Sequence, residues 1–378
     1  MKYLCVIAAA LVCAACSKPL NVKVLETDSS RILVVDEGNV TEERDIKLSD
    51  FADDFRIVRF DNDEKAFFSP GLPAISENYI AAGNDPVKLF DRNGKYLCDV
   101  GAIGNGPGEY AVGVYDRLID ESDGKIYLTD FVRSAKCYDL QGNFLYDVEL
   151  GGRLNKGKLF KNTDGAMSIV HLCFKNDASP FVAASFNSTM GEGDTVRYAF
   201  APQLSCDFDS PEGEAIGFNN EVWSFRCVPT PSFHTTFNDT LYHYDATANR
   251  LDAAFVLDMD RERKGDGYFV YQELPGHIIA NIVGGNNRGK ILVDKNTLEA
   301  WRISRRVNDF FFNTENMGWN MRDGYAFGMY EPLELQEELQ KAIDEGEIED
   351  GLLPEVTGFM ATLHENDNNV MIVARLKK

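Results

Sequence analysis

The sequence predicts an all-β protein, a six-bladed β-propeller with seven blades as the alternative, and one short helical insertion near the C-terminus. Three observations support this prediction. Short β-rich segments recur along most of the chain, a hairpin pattern repeats about every 48 residues, and one amphipathic segment precedes the last strand. The 378 residues are 44% hydrophobic and 26% charged, a balance typical of a folded globular protein.

The repeat is clearest in two segments. Residues 87–97, VKLFDRNGKYL, match residues 135–145, AKCYDLQGNFL. Both read strand, aromatic residue, Asp, two turn residues, Gly, polar residue, aromatic residue and Leu, which is typical of a β-hairpin. Weaker copies follow, and a further copy is expected between residues 160 and 200. We interpret the aspartates of the four copies as turn residues rather than catalytic groups: Asp91, Asp139, Asp245 and Asp294.

The N-terminus predicts export and a lipid anchor. Lys2 precedes an uncharged apolar run over residues 4–15, which is too short to span a bilayer. The run ends in Cys-Ala-Ala-Cys, similar to a bacterial lipobox in which Cys16 is acylated after cleavage behind Ala15. Cys13 stands where such motifs usually have Leu, and an ordinary cleaved signal peptide is the alternative.

These features divide the chain into three parts. Residues 1–15 form the lipoprotein signal peptide, and residues 16–45 form the lipid anchor, a tether and a first strand. Residues 46–378 form the propeller, with the helical insertion at about 332–345.

The predicted helix begins at Pro332, a residue favoured in the first turn. Leu335, Leu339 and Ile343 follow at spacings of four residues and lie on one face. Gly346 is expected to end the helix. We interpret it as an insertion of the last blade that packs on one end of the propeller, with a partner-binding helix as the alternative.

The charge excludes one class of partner. The chain has 60 acidic and 38 basic residues and a formal net charge of -22, so it repels the phosphate backbone of nucleic acids. Five cysteines follow the proposed anchor, an odd number without Cys-x-x-Cys spacing. They are interpreted as small buried thiols, with their disulfide status open: Cys98, Cys137, Cys173, Cys206 and Cys227.

Complete catalytic motifs are absent from the sequence. There is no Gly-x-Ser-x-Gly, no His-Glu-x-x-His and no EF-hand loop. Residues 284–290 fall short of a phosphate-binding loop, because Ile291 stands where Ser or Thr would bind magnesium. The Gly-rich residues 104–108 are interpreted as a tight connection between blades.

Three histidines are candidate channel residues. A metal in a propeller channel would be held by equivalent strands, so its ligands should recur near the blade period. His171, His234 and His277 are separated by 63 and 43 residues, which does not match that period. No metal ligand is therefore assigned and no cofactor is predicted, with a central divalent metal as the alternative.

A few other side chains are candidates for ligand contact. Trp223, Trp301 and Trp319 could line a sugar or peptide groove, and Trp319 lies in a loop-like setting that would expose it. Arg226 and Arg288 could anchor an anionic ligand, although the sequence gives them no distinction from ordinary surface arginines.

One stretch carries a family resemblance. Residues 101–110, GAIGNGPGEY, followed by residues 125–130, KIYLTD, and by the Tyr138-Asp139 hairpin, resemble one complete NHL-type propeller repeat. The whole chain is similar to the six-bladed propeller lipoproteins of Bacteroidetes, a family of unassigned function. The resemblance implies that residues 56–60 and 370–376 close one blade together.

The resemblance also bears on the cellular location of the protein and on whether it is an enzyme. Some lipoproteins of that group carry acidic residues directly after the acylated cysteine, which direct them to the cell surface. Residues 17–21 contain none, so the periplasmic face and the cell surface both stay open. NHL-type lyases bind a metal in the central channel, which keeps an enzyme among the alternatives.

The sequence therefore favours a membrane-anchored lipoprotein of the bacterial cell envelope whose propeller is a non-catalytic binding or scaffold module. Its ligand would lie at the channel mouth, and the expected partners are a glycan, a peptide or an envelope protein. The runner-up is a metal-dependent lyase or lactonase with a site in the channel. A purely structural component of an envelope complex is the third hypothesis.

Overall fold

Six antiparallel sheets follow one another along the chain and form the blades of a propeller in this computed structural model. This confirms the prediction of six blades rather than seven. The structure describes residues 21–27, 30–111, 113–130, 135–148, 150, 154–177, 180–187, 196–207 and 220–378, and the statements below concern these residues. The first strand of each blade is its innermost strand. Asp116 in the first strand of blade 2, for example, bonds to Leu159 and Arg322 in the first strands of blades 3 and 6.

The first three blades lie in simple chain order. Blade 1 consists of Ala74–Ile75, Tyr79–Ala82, Val87–Asp91 and Tyr96–Val100. Blade 2 consists of Val114–Asp120, Lys125–Asp130, Ala135–Asp139 and Phe144–Val148. Blade 3 consists of Lys158–Lys161, Met167–Val170, Ala183–Phe186 and Arg197–Ala199, and beside it Cys173–Phe174 pairs with Ser205–Cys206.

The last three blades carry the additions to the fold. Blade 4 consists of Val222–Trp223, Ser232–Thr235, Thr240–Asp245 and Arg250–Asp258. Blade 5 consists of Tyr268–Glu273, His277–Val283, Gly289–Asp294 and Glu299–Asn308, with Thr314–Glu315 paired to its last strand. Blade 6 consists of Asn320–Arg322, Tyr325–Tyr330, Val370–Leu376 and, from the start of the chain, Ala52–Arg59.

Blade 6 closes the ring. Val370–Leu376 pairs antiparallel with Ala52–Arg59, so that Val370 lies opposite Arg59 and Ile372 opposite Ile57. The expected pairing of residues 56–60 with residues 370–376 is therefore confirmed. Closure in this way removes two free sheet edges that would otherwise invite aggregation.

The repeated hairpin joins the third and fourth strands of a blade. In blade 1 the Asp91 carboxylate accepts hydrogen bonds from the backbone N–H groups of Asn93 at 2.8 Å and Lys95 at 3.0 Å. In blade 2 the Asp139 carboxylate accepts hydrogen bonds from the backbone N–H groups of Gln141 at 2.9 Å and Asn143 at 2.8 Å. The turn role of these aspartates is confirmed, and the copy expected within residues 160–200 is blade 3.

The hairpin turn of blade 2 packs closely on blade 1. Gly142 has a φ of +82°, and a Cβ atom there would lie 2.1 Å from the carbonyl oxygen of Asp99 in blade 1. Gly124 has a similar φ of +64°, but no atom lies within 4 Å of its Cβ position. Both glycines therefore need a left-handed backbone conformation, but only Gly142 also needs the absence of a side chain for contact with another blade.

We expect Gly142→Ala to destabilise the fold more than Gly124→Ala. Both variants carry the cost of a left-handed conformation, about 1 kcal/mol. Only Gly142→Ala adds a backbone clash, which should cost a further 1–3 kcal/mol or so. Chemical denaturation of both variants measures the difference, and equal losses of stability would contradict the packing argument.

The N-terminal segment wraps around the outside of two blades. Val22–Glu26 and Arg31–Asp36 form a hairpin, and Arg31–Asp36 pairs in parallel with the last strand of blade 4. Glu43–Lys47 then pairs in parallel with the last strand of blade 5. Four short helical elements complete this segment and the loops: Glu37–Asn39, Leu48–Phe51, Glu64–Ala66 and Arg261–Lys264.

Glu37 fixes this segment to the propeller. Its side chain is fully buried, and its carboxylate accepts hydrogen bonds from Arg302, from Arg263 at 3.1 Å and from Asn287 at 3.0 Å. A buried carboxylate is stable only with such partners, so these contacts hold the segment in one position.

The helical insertion lies between the second and third strands of blade 6. The predicted helix is present as Pro332–Asp344, and Gly346 follows it with a φ of +74°. A second helix, Leu353–Met360, follows a short turn at Asp350–Leu352 and was not expected. Its eight residues include Pro354 and Gly358. Because Pro and Gly have low helix propensities, the sequence of this segment does not predict a helix.

The apolar face of the first helix is covered from within the chain. Leu335 and Leu339 are fully buried, together with Val356 of the second helix, Phe311 and Ile372. The insertion is therefore part of the core of blade 6, as the first interpretation had it. A remaining short turn, Pro202–Leu204, follows blade 3. No helix in the described part of the chain is long and apolar enough to cross a membrane.

Candidate functional site

Charged side chains from different blades meet where the innermost strands converge. We call these six residues the channel cluster: Asp116, Arg117, Lys158, Arg226, Arg322 and Asp323. They come from blades 2, 3, 4 and 6, and all are largely or fully buried. We call the channel end at which the innermost strands begin the upper end, and the other the lower end.

Arg226 is the centre of this cluster. Its Nε donates to Asp323 Oδ1 at 2.6 Å, and its Nη1 donates to Asp116 Oδ2 at 2.7 Å. It also donates to the backbone carbonyl oxygens of Arg117 at 2.8 Å and Leu159 at 3.2 Å. The guanidinium of one residue in blade 4 therefore ties together blades 2, 3 and 6.

The position of Arg226 corrects the view of it as an ordinary surface arginine. Its side chain is only 7% exposed, and its backbone has a φ of +51°, a conformation that non-glycine residues seldom adopt. Such strain is stable only where surrounding contacts enforce it. The network extends to blade 1, because the backbone N–H of Ile75 donates to Asp323 Oδ2 at 3.1 Å.

Asp116 is held as a carboxylate. Its oxygens accept hydrogen bonds from Arg322, from Arg226 and from the backbone N–H of Leu159 at 2.8 Å. Burial alone would raise its pKa, but the charges of Arg226 and Arg322 outweigh burial and hold the pKa of Asp116 well below its usual range. A carboxyl group with saturated acceptors and such a pKa is a structural anion rather than a general acid or base.

A second set of contacts lies at the upper end. The hydroxyl of Tyr115 and the ammonium of Lys156 both donate to the carboxylate of Glu221. The ammonium of Lys158 lies over the ring of Tyr115, 4.1 Å from its centroid. Burial, reinforced by the negative charge of Glu221, raises the pKa of Tyr115 well above its ordinary value, so its hydroxyl stays protonated.

The lower end opens into a cavity of about 320 Å³, which we call the mouth cavity. Five blades contribute to it. Its apolar lining is Ile75, Leu118, Ile119, Phe160, Val228 and Pro229, and its polar lining is Ser76, Glu77, Lys161, Arg226, Asp323 and Tyr325. A concave site where several elements converge, with apolar surface and polar groups that can orient a ligand, is the usual form of a ligand site.

A second cavity, of about 480 Å³, lies between blades 3 and 4 and is lined partly by His243. Nε2 of His243 is 2.7 Å from Glu273 Oε2, and Ser232 Oγ donates to the same oxygen at 2.6 Å. Although burial opposes ionisation, contacts with His243 and Lys295 lower the pKa of Glu273 to about 2. Because Ser232 and His243 both bind the carboxylate and not each other, the histidine is not placed to activate the serine.

The three candidate histidines lie in separate surroundings. His171 packs on Phe181, with ring centroids 4.3 Å apart, and His234 bonds through Nε2 to the carbonyl oxygen of Phe269 at 3.1 Å. Burial lowers the pKa of His171 to about 4 and that of His234 to about 3, so both are neutral at pH 7. His277 lies 3.7 Å from Asp294.

Among the described residues no group of three or more His, Cys, Asp or Glu side chains could hold a metal ion. The structure thus does not bring His171, His234 and His277 together as ligands, which agrees with the mismatch between their spacing and the blade period. The simpler interpretation, that they are structural, accounts for their contacts.

Trp319 is not an exposed groove residue. It is 3% exposed, with its ring centroid 6.0 Å from that of Phe51 and 5.7 Å from the guanidinium of Arg306. The loop-like sequence around it was misleading because Phe51 of the N-terminal segment and Arg306 of blade 5 pack against this loop. Arg288, in contrast, lies exposed in a turn of blade 5, outside the channel cluster.

The Gly-rich residues 104–108 connect blades 1 and 2, as predicted. The Glu109 carboxylate accepts from the backbone N–H of Gly106 at 2.7 Å, and Tyr138 donates to the carbonyl oxygen of Gly108 at 2.8 Å. The five body cysteines are free thiols, half-buried at Cys98 and buried at the other four positions. Cys16 and the signal peptide lie outside the described residues.

Sequence reasoning named Arg226 but missed the rest of the channel cluster. A signal was present: Asp116-Arg117 and Arg322-Asp323 are adjacent opposite charges within short apolar strands. Charged residues are rarely buried without a partner, so such pairs in predicted innermost strands would have indicated contacts between blades.

Comparison with known proteins places the chain in a family. A family model described as a domain of unknown function, DUF4934, matches residues 31–375. No curated protein sequence matches the chain. A structure from Bacteroides fragilis, named as an exported protein, is 15% identical with a TM-score of 0.60, and the match covers 92% of this chain and 100% of that one.

A member of the DUF4221 family from Bacteroides vulgatus is 11% identical, with a TM-score of 0.44 and coverage of 86% of this chain and 97% of that one. At such identities the Bacteroides fragilis structure supports the fold alone, and the second likeness carries no argument. The family match covers most of the described propeller. The chain therefore belongs to DUF4934, a family of domains of unknown function.

Proposed function

We propose that this protein is a lipid-anchored lipoprotein of the bacterial cell envelope whose propeller is a non-catalytic binding module. The lipobox-like residues 13–16 support the proposal of a lipid anchor. The similar Bacteroides fragilis protein, which is named as exported, supports the proposed location in the cell envelope. The observation that carries the binding function is the mouth cavity, where five blades offer both apolar and polar groups.

The chemistry of the channel favours binding over catalysis. The carboxylates next to the mouth cavity, Asp116 and Asp323, are engaged by Arg226, and Asp116 has a strongly lowered pKa. Groups that are fixed by one another can orient a ligand but are poorly suited to move protons. A glycan or peptide with an apolar face and a few polar groups would fit this lining.

The binding proposal can be tested with a substitution that fills the mouth cavity with a larger side chain. We expect printed glycan and peptide arrays to show at least one class of probe that binds the wild-type protein. Val228→Trp, which places an indole in the mouth cavity, should weaken that binding at least about tenfold. Leu333→Trp is the matched control, because Leu333 is exposed on the helical insertion and lies outside the cavity.

Two results would contradict the binding proposal. One is the absence of any bound probe, and the other is binding that survives Val228→Trp. Metal analysis of dialysed residues 17–378 tests the enzyme alternative. A stoichiometric divalent metal that is lost in His234→Ala or His277→Ala would replace the binding proposal with a metal-dependent enzyme.

The anchor has its own test. We expect Cys16→Ser to abolish incorporation of labelled fatty acid and to release the protein from the membrane fraction, because only a cysteine thiol at the cleavage site is acylated. Cys13→Ser should leave both properties unchanged. Labelling that persists in Cys16→Ser and disappears in Cys13→Ser would move the anchor to Cys13, and no labelling of the wild type would indicate a simple cleaved signal.

A further inference from the structure

The channel cluster carries more positive than negative charge. It contains four cationic side chains and two carboxylates. Lys156 and Glu221 at the upper end form their own ion pair and leave this balance unchanged. The surplus is notable in a chain with a net charge of -22. Buried charge without a counter-charge is costly, so the surplus among the described residues favours a compensating anion in the channel.

Lys158 is the cation of the channel cluster that forms no ion pair with the described residues. It is 8% exposed, and in the described part of the chain its ammonium donates no hydrogen bond and has no carboxylate within 4.0 Å. Its close contact is the ring of Tyr115. Burial lowers the pKa of Lys158 to about 8, against the opposing effect of Asp116, so the group is still mainly protonated at pH 7.

Two guanidinium groups next to it have unused donors. Arg117 donates through Nη2 to Asn84 Oδ1 at 2.6 Å, but its buried Nη1 has no acceptor among the described residues. Arg322 donates through Nη2 to Asp116, whereas its Nε, 3.6 Å from Asp323, makes no hydrogen bond there. Burial is the main cause of the lowered pKa values of Arg117 and Lys158, and the positive charge of Arg322 lowers both further, so Arg322 lies near each of them.

Among the described residues, partly exposed side chains lie between Lys158 and the surface at the upper end. The side chain of Glu221 is 34% exposed, and the half-buried Tyr115 lies between it and Lys158. These two side chains are on the opposite side of Lys158 from the mouth cavity.

We propose that the upper half of the channel binds a small oxyanion, which accepts hydrogen bonds from Lys158, Arg117 and Arg322. Phosphate, sulfate and carboxylate oxygens form strong, charge-assisted hydrogen bonds with ammonium and guanidinium donors. One bound sulfate or doubly ionised phosphate offsets the surplus positive charge, and one carboxylate offsets half of it. The site is separate from the mouth cavity and would exist even if the mouth cavity bound nothing.

The oxyanion is either a free inorganic ion or the acidic group of a larger ligand. Inorganic phosphate and sulfate represent the first source, and glucuronate and glucose 6-phosphate represent the second. The experiment titrates each of these probes into the wild-type protein at constant ionic strength, set with sodium chloride, and records heat by calorimetry and the thermal midpoint in parallel.

We expect saturable binding and a rise in the thermal midpoint with at least one probe. Lys158→Met should weaken binding at least about tenfold and yet unfold no earlier than wild type in chloride alone, because it removes an unpaired buried charge. Lys175→Met is the control, since Lys175 is half-exposed and pairs with Asp207 on the surface. The affinity of the wild type should fall as the pH rises through 8, where Lys158 loses its proton.

Two outcomes would overturn the proposal: no saturable response to any of the four probes, or an equal response in Lys158→Met and wild type. Tighter binding of the two inorganic ions would identify a free ion, and tighter binding of the two organic acids would identify a larger ligand. Both of these results support the oxyanion site. Neither depends on Val228→Trp, so the mouth cavity and the oxyanion site can fail separately.

Discussion

Deletion of residues 370–378 is expected to abolish the folded monomer. The strand Val370–Leu376 lies between Tyr325–Tyr330 and Ala52–Arg59 and bonds to both. Without it, blade 6 loses a central strand whose side chains are almost all buried, and two unpaired strand edges are exposed. Loss of this much buried apolar surface exceeds the net stability of a typical domain, and the exposed edges favour aggregation.

Far-ultraviolet circular dichroism, size-exclusion chromatography and denaturant titration measure this outcome. Deletion of Lys378 alone is the matched control, because the chain keeps the strand and the bond from the backbone N–H of Lys377 to the carbonyl oxygen of Phe51. A chain ending at residue 369 that stays monomeric and unfolds cooperatively would show that the ring does not depend on this closure.

Replacement of Arg226 by Met is expected to destabilise the fold by about 3–5 kcal/mol, the usual cost of removing one partner of a buried ion pair. The substitution leaves Asp323 Oδ1 and one bond of Asp116 without their guanidinium donor. It also leaves the carbonyl oxygens of Arg117 and Leu159 without a donor from this side chain. The substitution therefore removes hydrogen bonds that join blade 4 to blades 2, 3 and 6.

Denaturant unfolding compares this variant with Arg250→Met. Arg250 also bonds to a carboxylate, that of Asp252 at 2.7 Å, but its side chain is 45% exposed. Exposed pairs contribute about 0–1 kcal/mol, so this control should change stability little. Arg226→Lys should fall between the two, because an ammonium keeps the charge but cannot form the bonds that the guanidinium directs to several blades. Equal losses for Arg226→Met and Arg250→Met would show that the channel network is not structurally important.

The blades were predictable because their signals are local. A turn aspartate must accept from the next backbone N–H groups, and Gly142 must tolerate a positive φ, so each hairpin carries its own pattern. The helix at Pro332–Asp344 was predictable for the same reason, since Leu335 and Leu339 repeat at helical spacing. The helix at Leu353–Met360 has too few residues for such a pattern.

The site was predictable only in part. Arg226 was named as an anchor for an anion, but its burial and its partners depend on residues 97 and 110 positions away in the sequence. Trp319 was misjudged because what covers a loop is not a property of that loop. His234 could not be distinguished from a metal ligand until its bond to Phe269 was known.

The all-β class, the repeat of about one blade, the turn aspartates and the helical insertion could be inferred from the chain alone, because each depends on residues close together in the sequence. Which charges meet in the channel depends on the three-dimensional arrangement of the blades. Closing the ring brings the innermost strands of distant blades to one axis, where Asp116, Arg226 and Arg322 become neighbours and Lys158 lies over the ring of Tyr115. Charge pairing at the axis is set by closure of the ring and not by any local pattern.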